Sequence, residues 1–374
     1  MALFEFEDDL VLDVLEEDDE EVFVIIDLIE HGLPRQVYER ADYFHQFDDA
    51  QFRRRFRLSR ETVLFLLEHI EEHLEFPNNR NHCVSPINQL LVSLRYYATA
   101  GHLLSQADFT GMHTSTVSRI IVRVSEAIAA LYPVFCTFPT TNEEIRQNQR
   151  DFFDIARFPR VIGCVDCTHV RIQSPGGDNA EVFRNRKCYF SINVQGICNA
   201  NLKIINMVAR WPGSSHDATI FNSSDIHREF EEGAYRNCVL LGDCGYANRS
   251  YLLTPLIAPA TAAEQLYNES HIRTRNSIER CFGVLKRRFP VLAYGCRLKT
   301  ETILTVIVAT AVLHNIAIQM REGNPPPLPE EVDGHIFDEL LADGQVPNID
   351  YNIRGNGHGN AIRQQIILNY FSTL

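Results

Sequence analysis

The chain has 374 residues, 45% of them hydrophobic and 22% charged, with a formal net charge of −14. At roughly 150 residues per domain this suffices for about two hydrophobic cores, and it excludes collagen, low-complexity disorder and small disulfide scaffolds. No apolar run approaches the roughly 20 residues of a membrane span; the longest, Ile303 to Val312, carries Thr305 and Thr310 and is expected as a buried helix. The start of the chain has no basic residue ahead of an apolar stretch, so a secretory signal is not expected and the protein reads as intracellular. Its ten cysteines lack paired close spacings and are expected as reduced core thiols.

The charge is segregated. Residues 1 to 30 hold thirteen acids and no Lys or Arg, and Glu322 to Asp350 holds eight acids and again no Lys or Arg. The middle, 31 to 321, is near +5, with 33 basic residues against 28 acidic. Most of these bases are arginine, whose planar fork suits phosphate oxygens and guanine edges; base composition of the gene explains the same excess equally well.

Taken in order, residues 1 to 30 alternate acidic clusters with Val22-Phe23-Val24-Ile25-Ile26 and read as either disordered or an amphipathic docking peptide. One testable idea is that this segment mimics DNA and competes for the basic middle, so that its deletion tightens DNA binding. From Phe52 the pattern is helical: Ser59 is a cap, followed by Val63, Leu66, Leu67 and Ile70 on one face. Ser85-Pro86 opens a second helix over 87–100. Leu104 to Phe109, a turn at Gly111-Met112-His113, and Thr114 to Ile128, capped by Thr114 or Ser115, have helix-turn-helix spacing. The second of these helices opens with Ser115, Thr116, Ser118 and Arg119, polar groups able to meet base edges and phosphates, while Val117, Ile120, Ile121 and Val124 face inward. Any small helical bundle can share that spacing. Beyond Phe158-Pro159 strands are expected at 161–172, 189–198 and 202–211, the last two joined as a hairpin at Asn199-Ala200-Asn201. A short helix at 226–232, a strand at 238–243, helices over 262–320, an acidic linker after Pro325-Pro326-Pro327 and a final helix at 361–370 complete the chain.

Four acids stand where an acid gains little unless something cationic is near. Asp166 interrupts the apolar strand Val161-Ile162-Gly163-Cys164-Val165, and Asp243 ends Val239-Leu240-Leu241-Gly242. Asp217 follows Gly213-Ser214-Ser215-His216 at the mouth of the sheet. Glu279 lies on a helix whose stripe is Ile278, Phe282, Leu285 and Phe289, beside a strip of Arg275, Glu279, Gly283 and Lys286. Taken singly, each acid is better read as a strand-end or surface acid paired with an arginine. Together they favour a hard cation, magnesium or manganese rather than zinc, two of which would serve in-line phosphoryl displacement. Arg275, Arg280, Lys286, Arg287 and Arg288 would then hold the phosphodiester backbone, and Gly283 would let the strand approach closely.

The motifs Gly163-Cys164-Val165-Asp166-Cys167-Thr168-His169, Trp211-Pro212-Gly213-Ser214-Ser215-His216-Asp217, Leu241-Gly242-Asp243-Cys244-Gly245-Tyr246 and Asn276 to Phe289 resemble those of Harbinger transposases and the nucleases derived from them. The resemblance runs from about Arg57 to Asn315. It implies an α/β fold: a ribonuclease H-like mixed-sheet catalytic domain at 151–321, behind an all-α, helix-turn-helix-like DNA-binding domain at 51–150. An acidic segment at 1–50 and an acidic linker with a terminal helix at 322–374 flank them. The resemblance further implies a DDE triad of Asp166, Asp243 and Glu279, with Asp217 as an additional metal ligand, and a divalent cation, Mg2+ or Mn2+. It also implies DNA cleavage by water, a nuclear location with some cytoplasmic presence, and a separate Myb-like protein as partner. A domesticated DNA-binding scaffold that no longer cuts is the alternative; a phosphohydrolase of small substrates ranks third.

Other constellations carry less. Cys164 and Cys167 have zinc-like spacing, but residues three apart on a strand point to opposite faces. The same geometry makes His169 structural or peripheral. Ser215-His216-Asp217 are adjacent and cannot form a hydrolase triad. Trp211 is expected to pack under the loop that places Asp217.

Overall fold

The computed structural model describes residues 42–77, 83–99, 103–330, 332–343 and 357–374. The acidic segment 1–30 lies outside the described residues. From Ala41 onward the chain is one compact unit.

Helices come first. Asp42 and Asp48 cap the short α1 (Tyr43–Gln46) and α2 (Asp49–Phe56). Ser59 caps α3 (Arg60–Leu74) as expected, its hydroxyl accepting the Thr62 N–H, and Val63, Leu66 and Ile70 are buried. Proline opens α4 (Pro86–Thr99). Gly111, at φ +59°, turns the chain between α5 (Leu103–Thr110) and α6 (Thr114–Ala129). The cap of α6 is neither Thr114 nor Ser115: the His113 ring accepts the Ser115 N–H. After α7 (Tyr132–Phe135), a capping box of Thr141 and Glu144 starts α8 (Asn142–Ala156).

The sheet follows, with β1 (Val161–Arg171), β2 (Ser191–Cys198) and β3 (Ile204–Pro212). Then come α9 (Asp217–Asn222), α10 (Asp225–Glu231), β4 (Val239–Leu241) and β5 (Leu252–Leu253). Strand order is β3-β2-β1-β4-β5, with β1, β2 and β3 an antiparallel meander and β4 and β5 parallel to β1. This mixed sheet is consistent with a ribonuclease H-like fold. Both faces are covered. Val161, Cys164 and Val170 of β1 join the larger core under α11 (Ala262–Arg288), while Ile162 and Val165 join a smaller core with Phe221 and Tyr246. Short α12 (Val291–Tyr294) leads to α13 (Thr300–Gln319), the expected buried helix. Its Asn315 side chain accepts the Ile204 N–H at 2.9 Å and donates to the carbonyls of Ile204 at 2.7 Å and Phe135 at 2.8 Å. The end of α13 thereby fixes the start of β3.

Two features depart from expectation. The larger core runs from Tyr43 to Phe371 and includes α3, α4, α6, α11 and α13, so residue 150, which lies inside α8, marks no gap in the packing. Nor does Pro325-Pro326-Pro327 end the compact region. The Pro326 and Pro327 carbonyls accept bonds from buried Arg57, at 2.8 and 2.6 Å. The acidic stretch beyond forms α14 (Gly334–Asp343), whose Phe337 is buried against Ala293, and the chain closes with α15 (Gly357–Asn369).

Candidate active site

The alternation of β1 decides where its acid points. Asp166 lies in the row of Cys164 and Val170, which faces α11, and across the ladder it pairs with Gly196. A Cβ at Gly196 would stand 2.9 Å from Phe282, so the missing side chain is what lets α11 lie close against β1 and β2. The helix then delivers Arg275 and Glu279, one turn apart. The Arg275 guanidinium donates to Asp166 Oδ2 at 2.9 Å and to Glu279 Oε1 at 2.5 Å. Asp166 Oδ1 accepts the Cys167 N–H at 2.8 Å.

Asp243 stands two residues past the end of β4, which lies beside β1, and its carboxylate accepts the Gly245 N–H at 2.8 Å. Asp217 is the first residue of α9 and reaches the site from the other face of the sheet. There Asn193 donates to Asp217 Oδ1 at 3.0 Å and to the Ser215 carbonyl at 2.9 Å. Burial, with Asp243 and Asp217 close by, pushes the Asp166 carboxyl up to about 8 against the pull of Arg275. Asp243 rises to about 6, first from burial and then from Asp217. Asp166 and Asp243 thus both feel the charge of Asp217. Arg275 bonds Asp166 and Glu279 and feels the charge of Asp243, while Asp217 stands beside Asp166 and Asp243.

The expected DNA contacts divide. Ser115 and Arg119 are exposed on the first two turns of α6, with Arg119 bonded back to the Ser115 carbonyl at 3.1 Å; Thr116 and Ser118 are half-buried. Arg280 is exposed. Arg287 is exposed but paired with Asp338 at 3.0 Å. Arg275, Lys286 and Arg288 depart from expectation because they turn inward. Lys286 is buried, donates to the His169 carbonyl at 2.9 Å, and is lowered to about 7 by desolvation. Arg288 is buried and donates to the carbonyls of Arg57 at 3.1 Å and Gly323 at 2.8 Å. Gly283 has no atom within 4 Å of where a Cβ would stand.

The remaining motifs resolve structurally. The Cys164 thiol points to the Thr274 carbonyl and Cys167 to the Tyr246 hydroxyl, on opposite faces. His169 is buried against the Ser191 hydroxyl at 2.9 Å. The His216 ring bonds Arg186 at 2.8 Å while Asp217 bonds Asn193, so they are no catalytic pair. Asn193 itself was not singled out from the sequence, although Ser191, Asn193 and Gln195 alternate as polar residues in an otherwise apolar strand, and all three are buried. That period-2 polar row was its signal.

The donors are hard oxygens, and the nearby Cys167 thiol is held protonated by burial. In chemistry they fit a hard divalent cation. In arrangement, among the described residues no three His, Cys, Asp or Glu side chains are grouped to hold a metal, because Arg275 takes Asp166 and Glu279. Residues 165–315, which contain all four acids, match the family model described as DDE superfamily endonuclease. The mouse protein named "Putative nuclease HARBI1" is 29% identical over 92% of this chain and 97% of its own length, and its human counterpart is 29% identical over 78% and 84%. An Arabidopsis thaliana protein named "Protein ALP1-like" is 23% identical over 76% of this chain and 75% of its own. No solved structure matches. The mixed sheet, the segments that follow its strands and its covering helix carry all four acids within residues 165–315, the stretch that is similar to the DDE superfamily endonucleases.

Proposed function

We propose that the chain is a divalent-metal-dependent DNA endonuclease that cuts phosphodiester bonds with water. The observation that carries this reading is that Arg275 bonds Asp166 and Glu279 while Asp243 and Asp217 lie close enough to raise the Asp166 carboxyl, four acids drawn from three elements and a loop. These four acids would hold the cation or cations, with Arg275 releasing Asp166 and Glu279 to do so. A bound ion would lower the pKa of the attacking water and stabilise the leaving oxygen. The chain's own residues do the positioning. Asn193 fixes Asp217, the Gly245 N–H orients Asp243, and buried Lys286 ties β1 to α11 through the His169 carbonyl. Released Arg275 becomes a counter-charge for the phosphodiester. Exposed Ser115 and Arg119 make the start of α6 the element that enters the major groove. From the family resemblance the reading takes the nucleus as its place of action and a separate Myb-like protein as its recognition partner.

Nicking of supercoiled plasmid with Mg2+ or Mn2+ tests it. Asp166→Ala and Glu279→Gln should each lower nicking by more than about a hundredfold. Equal rates in wild type and variants reject the assignment. The ion pairs of Arg275 favour a second reading, a DNA-binding scaffold that keeps the fold but holds its acids closed. Duplex binding without nicking in either metal would select it.

A further inference from the structure

At the other end of the β1–β4 pair lies a cleft of about 660 Å³. Arg160 immediately precedes β1 and Cys238 immediately precedes β4, whereas Asp166 and Asp243 lie further along the same parallel strands. Asp166 lies five steps along the strand from Arg160's neighbour Val161, roughly 17 Å at about 3.3 Å per step. The cleft is therefore remote from the carboxylates. Its wall carries Arg146 from α8, Arg160, and Arg236 from the loop before β4, together with Gln149 and Asn237, and no Asp or Glu lines it. All three arginines are exposed. None forms an ion pair among the described residues; Arg146 donates Nε to the Asn142 carbonyl, which leaves the end of its fork open. Of the acids nearby, Glu144 closes the α8 capping box, Glu229 accepts from the Tyr235 hydroxyl and Glu231 bonds Arg249 and Tyr251, while Glu143 and Glu232 are exposed and do not line the cleft.

In a chain with 49 acids and 35 bases, an acid-free wall of three guanidinium groups runs against the composition. Like charges gathered without counter-charges repel, and the backbone adds to the cost. Arg160 sits at φ +67° and Asn237 at φ +60°, left-handed positions that side chains other than glycine rarely adopt. The ladder holds them there, the Arg160 carbonyl accepting the Val239 N–H at 2.9 Å. An extended polyanion with evenly spaced oxygens relieves such a wall, and the arginine fork matches phosphate geometry.

We infer that this cleft binds the phosphate backbone of duplex DNA at a distance from the bond being cut, as a second contact track. The inference rests on the DNA reading above. Binding of the full chain to a fluorescein-labelled duplex, followed by anisotropy across a salt series, tests it, with plasmid nicking measured in parallel. The variant carrying Arg146→Gln, Arg160→Gln and Arg236→Gln should bind about tenfold or more weakly, and its log–log salt slope should fall by about 2 to 3, near 0.9 per lost phosphate contact. Arg146→Glu and Arg236→Glu, neither at a left-handed position, guard against misfolding; each alone should weaken binding at an unchanged melting temperature. Unaltered affinity and slope alongside normal nicking overturn the cleft and leave the nuclease standing. Weakened binding in the variants of a wild type that never nicks keeps the cleft and rejects the nuclease. A wild type that binds no duplex overturns both.

Discussion

At the scale of single residues, the site turns on an arginine expected to hold substrate and found holding two of the acids. A carboxylate as buried as Asp166 is costly without a partner, and Arg275 supplies one for both Asp166 and Glu279. Removing it leaves Asp166 and Glu279 without their ion-pair partner, with Asp243 and Asp217 still repelling Asp166. Arg275→Ala should therefore destabilise the metal-free protein by about 3 kcal/mol in urea unfolding, allowing for partial exposure of the pair. Mn2+ should then stabilise the variant more than the wild type, because only a cation-binding native state gains by linkage. If Mn2+ raises both midpoints equally, Arg275 does not stand in the cation's place. His271 makes a separate, pH-dependent prediction. Its ring is buried, donates Nε2 to the Leu253 carbonyl at 3.0 Å, and is held down to about 4 by burial. The unfolded chain takes up this proton near 6.5 and the folded chain only near 4, so unfolding binds a proton between those values. The stabilising contribution is whole above pH 6.5 and is lost on acidification toward 4, by about 3 kcal/mol. His271→Gln keeps a donor for Leu253 and should flatten that part of the profile, measured as urea midpoints at pH 7 and 4.5; an unchanged difference between the two pH values would contradict the assignment.

At the scale of elements, the contact between α11 and the β1–β2 ladder sets the distance from Glu279 to Asp166. Two glycines, Gly196 in this contact and Gly283 on the helix that makes it, have opposite consequences. A side chain at Gly196 meets Phe282 at 2.9 Å, so Gly196→Val should overpack the contact, cost about 1–3 kcal/mol and slow nicking by lifting the helix that carries Glu279. Gly283 faces open space within α11, so Gly283→Ala should stabilise by roughly 0.5–1 kcal/mol through helix propensity. If a DNA strand passes there, the same methyl weakens duplex binding while raising the melting temperature, and anisotropy beside calorimetry separates the two effects. The contact was partly legible beforehand. Asp166 was visible because a charge breaks an apolar strand, and the Arg275–Glu279 spacing of four placed both on one helical strip. Lys286 lies along that strip too, yet no periodicity reveals that its nitrogen meets a carbonyl 117 residues earlier in the chain. A lysine reads the same in sequence whether it ends in water or against a backbone oxygen. β5, with only Leu252 and Leu253, is too short to show an alternation at all.

At the scale of the whole molecule, the basic middle and the acidic stretch after Arg321 neutralise one another in space. Arg53 pairs with Glu322 at 2.9 Å, Arg54 with Glu330 at 2.9 Å and Arg287 with Asp338 at 3.0 Å, so part of the arginine excess is not free for phosphate. Arg57 stands at the centre of this junction. It is the left-handed C-cap of α2, at φ +68°, and is fully buried. Its fork donates to the carbonyls of Arg288 at 3.0 Å and Arg287 at 2.7 Å at the end of α11, and to those of Pro326 and Pro327 in the strap after α13. Burial lowers it only to about 9, so it stays charged at neutral pH. One guanidinium thus satisfies four carbonyls from two stretches more than 200 residues away, at the end of the helix that presents Glu279. Arg57→Lys keeps the charge but replaces a rigid five-donor fork with a point charge on a flexible stem, leaving at least one buried carbonyl unmet. At about 1–3 kcal/mol for each buried group stranded, the variant should lose roughly 3 kcal/mol in urea unfolding. Its nicking should fall as well, although Arg57 lies outside the site, because the end of α11 loses its anchor. A variant as stable as the wild type would mean that packing alone holds this junction together.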